Sequence, residues 1–177
     1  GRAEAVVGDL AAGLGKERAL FYATKVWTDG QQAGVRQMQE SFRRMRVKQM
    51  DLMQIHNLRD LRDHTETLLR WKRDGRVRYI GITHYHAGAH AEVERLVRTK
   101  TYDFVQINYS LGEREAERRV LPAAQEAGVA VLVNRPFGSG GLFGRVRGAP
   151  LPEWAAEIAC ASWAQIFLKW IVGHPAV

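Results

Sequence analysis

Short apolar runs rich in β-branched and aromatic residues recur along the chain: ALFYATKV from residue 19, MDLMQIHN from 50, RYIGITH from 78, YDFVQINYS from 102 and VAVLVNRPF from 129. They return about every 25 to 30 residues, the spacing that a parallel strand followed by a crossover helix requires. Between them the apolar positions switch to helical spacing, as at Val35, Met38, Phe42 and Met45. Punctuation supports the same units. Asp63 stands three residues before Glu66 as in a capping box, and Gly75 follows RWKRD where a closing glycine belongs. Pro122 fits the first turn of a helix running from Val120 to Ala127 and ended by Gly128, which leaves 113–119 as a separate turn. Strands apolar on both faces and separated by helices predict an α/β fold with a parallel sheet, either open or closed into a barrel. Five strands fall short of the eight that a closed (β/α)8 barrel needs.

Composition narrows the function classes. The chain has 177 residues, 46% hydrophobic and 25% charged, with five prolines, the profile of a folded domain. Its single cysteine, Cys160, excludes an internal disulfide and lies in AAEIACASWAQIFLKW, read as a helical stretch in which it is a small buried hydrophobe. The net charge of +7 is spread over separate groups such as Arg43, Arg44, Arg46 and Lys48, or Arg70, Lys72, Arg73, Arg76 and Arg78. Cations of this kind complement helix C-termini, so no nucleic-acid partner is expected. There is no apolar run of membrane-spanning length and no signal-like start, which predicts no membrane partner and a cytoplasmic location, a targeting peptide of a longer parent aside. His84, His86 and His90 lack cysteine or acidic companions at ligand spacing, so no metal is expected.

In parallel βα folds reactive groups sit at the carboxyl ends of strands. Those positions hold Lys25 and Trp27, His56 and Asn57, Thr83 and His84, Gln106 and Asn108, and Asn134 with Arg135. A lysine after an apolar run is costly to bury unpaired, and a lone lysine there more often snorkels outward. A lone histidine is more often structural than catalytic. Their occurrence at equivalent ends of adjacent strands favours a joint role. The loop from Gly138 to Gly144 could admit a pyrophosphate to backbone amides or simply connect. No Rossmann or P-loop glycine pattern occurs.

The ordered set ATKVW, DLMQIHN, RYIGITHY, FVQINYS and NRPFGSGGL, flanked by GRAEAVVGDL and SWAQIFLKWIVGHPAV, resembles the successive strand ends and helices of the aldo-keto reductases over the whole chain. The resemblance implies an incomplete (β/α)8 TIM barrel with about five parallel strands, a single partial domain over 1–177 that lacks the first two strands and the last. It implies roles residue by residue: Lys25 as the catalytic lysine that lowers a tyrosine pKa, His56 orienting the substrate carbonyl, Trp27 and Asn57 lining the substrate pocket. Gln106 matches the contact to the nicotinamide carboxamide, and Pro136, Phe137, Gly138, Gly140 and Leu142 belong to the loop over the pyrophosphate. Thr83 and His84 replace the usual serine and asparagine, Asn134 stands where many members place an aromatic ring, and Arg135 would add positive potential near the phosphates. The implied cofactor is NADP(H) or NAD(H), and the implied partner is a small carbonyl substrate, reduced to an alcohol. The family's tyrosine, in the pattern D-T-A-x-x-Y-G-x-x-E, aligns immediately before Gly1. The isolated chain is therefore expected to be inactive, with a nicotinamide-nucleotide sensor or scaffold as the alternative role.

Overall fold

The computed structural model describes residues 1–177, which contain seven α-helices and five strands in βα succession. The α/β class and the five strands expected from the sequence are both present. Contacts divide the chain into two compact units, Gly1–Thr83 with Tyr102–Phe104, and His84–Thr101 with Val105–Val177.

The first unit opens with α1 (Arg2–Gly13), followed by β1 (Ala23–Val26), α2 (Gln31–Met45), β2 (Met50–His56), α3 (Leu61–Arg73) and β3 (Val77–Thr83). Its strands are parallel, with Lys25 opposite Gln54 and His56 opposite Thr83. Because successive side chains alternate between faces, one face carries Lys25, Gln54, His56, Gly81 and Thr83, while the other carries Val26, Met53, Ile55, Ile80 and Ile82. These five residues of the second face are apolar and buried. Helices α2 and α3 pack there through Met38, Phe42, Leu68 and Trp71, the periodic positions of the sequence. On the first face Gly81 is required by space, since a Cβ there would meet Phe104 O at 2.8 Å and Gln54 Cγ at 3.2 Å. Asp103 ties the base of this unit, accepting Ile80 N–H at 2.9 Å and both contacts from Lys72 Nζ at 2.7 Å.

The second unit holds α4 (His90–Arg98), β4 (Phe104–Asn108, whose first residue counts with the first unit), α5 (Val120–Ala127), β5 (Ala130–Asn134), α6 (Gly141–Arg145) and α7 (Trp163–Val172). β4 and β5 are hydrogen-bonded neighbours. Helix α5 has the predicted bounds, with Gly128 at φ 71° closing it, and a 3-10 turn over Glu115–Arg118 precedes it.

Three local expectations are corrected. Helix α3 starts two residues before Asp63, at Leu61 after Asp60, because the Asp60 carboxylate accepts the Gly30 N–H at 2.6 Å instead of capping its own helix. Cys160 is buried but precedes its helix: Ser162 caps α7 by accepting the Gln165 N–H, so 160 belongs to the lead-in, packed with Ala155 and Ile166. The first strand begins at Ala23 instead of Ala19, with Leu20 and Phe21 half-exposed ahead of it.

Candidate functional site

In the first unit Lys25 is the penultimate residue of β1 and His56 the last of β2, on the same face of neighbouring parallel strands. Burial pushes the Lys25 ammonium below the ordinary lysine value. Lys25 is half-buried at the strand end, and within these 177 residues its ammonium makes no ion pair or hydrogen bond. The Trp27 indole lies 5.3 Å from the His56 imidazole at an interplanar angle of 32° and keeps 55% of its surface exposed. The strand ends thus bring an indole, an imidazole and an ammonium to neighbouring positions on one sheet face. Asn57 follows in the left-handed region at φ 52°, and Thr83, opposite His56, is buried.

The second unit brings the other predicted residues together around β4 and β5. His84 N–H donates to Gln106 O at 2.9 Å, and Asn134 Nδ2 approaches His84 O at 3.5 Å. Asn134 Oδ1 is buried and accepts no hydrogen bond. His84 Nδ1 accepts the His86 N–H at 3.1 Å, which fixes the tautomer with the proton on Nε2, and burial pushes its pKa down. The Arg135 guanidinium lies 4.5 Å over the Tyr85 ring. No group of three or more His, Cys, Asp or Glu side chains is arranged to hold a metal ion. No helix is long and apolar enough to cross a membrane.

The glycine-rich loop makes a small cavity of about 130 Å³, lined by Ser110, Gly112, Glu113, Gly138, Gly141, Leu142 and Arg145. Three successive residues, Gly138, Ser139 and Gly140, take positive φ, and Leu142 is buried beneath them. Ser110 Oγ is wholly buried without a partner, an unmet hydroxyl on the cavity wall. A Cβ on Gly112 would come within 3.2 Å of Leu142 and 3.9 Å of Ser110 Oγ, so glycine keeps the cavity open. Its lining carries one cation, Arg145, and one carboxylate, Glu113, which accepts from Asn108 Nδ2 at 3.2 Å. Ser110, Gly112, Glu113 and Arg145 were missed in the sequence. The signal for three of them was the SLGE turn, which closes through paired Ser110 and Glu113 backbone bonds of 3.1 and 3.0 Å.

The model of the Aldo/keto reductase family matches residues 1–177. Methylglyoxal reductase YeaE of Escherichia coli is 28% identical over 184 residues, covering 100% of this chain and 63% of that protein. The uncharacterized oxidoreductase YrpG of Bacillus subtilis is 34% identical over 121 residues, covering 62% of this chain and 35% of its own length. Among solved structures, an aldo-keto reductase from Klebsiella pneumoniae in complex with NADPH matches with a TM-score of 0.76 at 25% identity, over 99% of this chain and 63% of that one. The chain thus spans less than two thirds of the length of these relatives.

Proposed function

The chain belongs to the aldo/keto reductase family, and from that premise we propose that its protein reduces aldehydes or ketones to alcohols with NADPH. The observation that carries this reading is that Lys25, half-buried at the end of β1, shares a strand face with His56 at the end of β2. Bound NADPH supplies the hydride in such a reaction. The residues of this chain supply binding, orientation and charge. His56 offers an imidazole N–H to the carbonyl oxygen, on which negative charge grows, and Trp27 covers the substrate's apolar part. Lys25 provides positive potential to the acid that protonates the alkoxide, lowering the acid's pKa toward neutrality. That acid is the tyrosine of the family pattern, which aligns just before Gly1 and has no counterpart inside the chain. The isolated chain is accordingly expected to turn over at background.

For the cofactor, the cradle of Ser110, Gly112, Gly138, Gly141 and Leu142 takes one phosphate group of the pyrophosphate, the Ser110 hydroxyl donating to a phosphate oxygen and Arg145 offsetting its charge and that of Glu113. In the second unit Asn134, Gln106 and His84 serve the carboxamide end, where Asn134 Oδ1 accepts an amide N–H. Pro136 and Phe137 hold the loop's entry: Phe137 O accepts the Gly140 and Leu142 N–H groups at 3.0 and 3.3 Å. The test is NADPH oxidation with methylglyoxal by a polypeptide that carries this chain at the length of its relatives. Carbonyl-dependent oxidation is expected. NADPH binding without turnover would instead support the sensor role.

A further inference from the structure

Two loops of the first unit are stitched together by contacts that the reaction does not use. Arg59 Nε donates to Asp29 Oδ1 at 2.8 Å and a terminal nitrogen donates to Oδ2 at 2.5 Å. Beside this pair, Gly30 N–H donates to Asp60 Oδ2 at 2.6 Å, and His64 Nε2 meets Thr28 O at 2.8 Å. The β2–α3 loop pays a conformational cost to present them: Asn57, Leu58 and Asp60 sit at φ 52°, 56° and 47°, a region that side-chain-bearing residues avoid.

The ion pair itself contributes little to stability, because its side chains are 41% and 67% exposed. What its two parallel bonds fix is direction. A bidentate fork holds the guanidinium in one plane, and here that group lies 5.7 Å from the centroid of the Trp27 ring. The Trp27 ring has His56 at 5.3 Å, its backbone N–H donates to Gln37 Oε1 at 2.7 Å, and more than half of the residue's surface is open. An exposed indole has freedom about two side-chain bonds, so the guanidinium decides where the plate stands. Asp29 neutralises Arg59, which leaves an aromatic surface with little net charge.

We propose that Arg59, clamped by Asp29, is a positioning residue that holds the Trp27 indole as a flat shelf beside His56, favouring planar, carbonyl-conjugated substrates over small aliphatic ones. This rests on the assignment of His56 and Trp27 to the carbonyl side. The experiment needs no turnover. The 177-residue chain has five tryptophans, whose indole N–H resonances can be resolved by nitrogen-15 NMR, with Trp27 identified by Trp27→Phe. Acetophenone is titrated as the planar probe and acetone as the aliphatic one. Acetophenone should move the Trp27 resonance. Arg59→Ala should shift that resonance selectively and weaken acetophenone about tenfold, with the acetone response unchanged. Arg59→Lys, which keeps the charge and loses the fork, should fall between the two. An unmoved Trp27 resonance, equal weakening for both ketones, or no acetophenone response in the parent chain overturns the proposal. An Arg59-dependent response together with no NADPH-dependent turnover by the polypeptide at the length of its relatives overturns the reductase reading alone.

Discussion

The strand-end wall of the first unit and the glycine loop of the second are built by opposite means. At the wall, position is set by side chains: Arg59 on Asp29, Asp60 on Gly30 N–H and His64 on Thr28 O cross from one loop to the next. At the loop, position is set by backbone. Arg135 O, Phe137 O and three positive φ angles shape a turn whose space is kept by Gly112, where a Cβ would come within 3.2 Å of Leu142. The first kind of site is damaged by removing atoms and the second by adding them. The asymmetry suits the tasks proposed for them, since a carbonyl needs directed groups whereas a pyrophosphate needs room and N–H or O–H donors.

The largest effect that would test this contrast is at His64. Its ring is wholly buried, joins the two loops of the wall and fills the space against Gly34, where a Cβ would lie 2.4 Å from its Cε1. His64→Ala should lower the unfolding free energy by about 3 kcal/mol, combining a cavity with an unpaired Thr28 carbonyl, as read from urea midpoints at constant m. A change under about 1 kcal/mol would show that the loops are not joined through this side chain.

Ser110→Ala should act in the other direction. Deleting a buried hydroxyl that has no partner should raise stability by about 1 kcal/mol while weakening NADPH binding about tenfold, measured by nucleotide fluorescence. A loss of stability would mean that the hydroxyl is satisfied within the fold. Gly138→Ala has space for its methyl group, with the nearest atom Leu142 Cγ at 3.8 Å, but sits at φ 56°. It should cost about 1 kcal/mol through backbone strain alone, whereas Gly144→Ala, at a position without positive φ, should be near neutral.

Much of the first unit was legible because apolar runs and helical spacing both report burial. Met38, Phe42 and the strand centres lie where their periodicity put them. Helix α5 was legible to the residue because Pro122 and Gly128 act through local backbone geometry. The failures were long-range. Asp63 and Glu66 form a plausible local cap, yet Asp60, bonded 30 residues away, decides where α3 begins. At α7 a local signal was present and passed over: Ser162 with Gln165 is a capping pattern, and Gln165 Oε1 accepts the Ala161 N–H at 2.5 Å. Lys25, His56 and Trp27 could be placed from strand register, but the cradle around Ser110 could not, since it depends on a turn meeting a loop 25 or more residues away in sequence. The Asp29–Arg59 clamp, 30 residues apart, is silent in the sequence for the same reason.

The most direct test of the whole account is Lys25→Met in a polypeptide carrying this chain at the length of its relatives, assayed for NADPH-dependent methylglyoxal reduction alongside NADPH affinity. The account predicts that kcat falls about 100-fold while the NADPH dissociation constant stays within about twofold, because Lys25 serves proton transfer and not nucleotide binding. An undiminished kcat, or a loss confined to NADPH affinity, would contradict it.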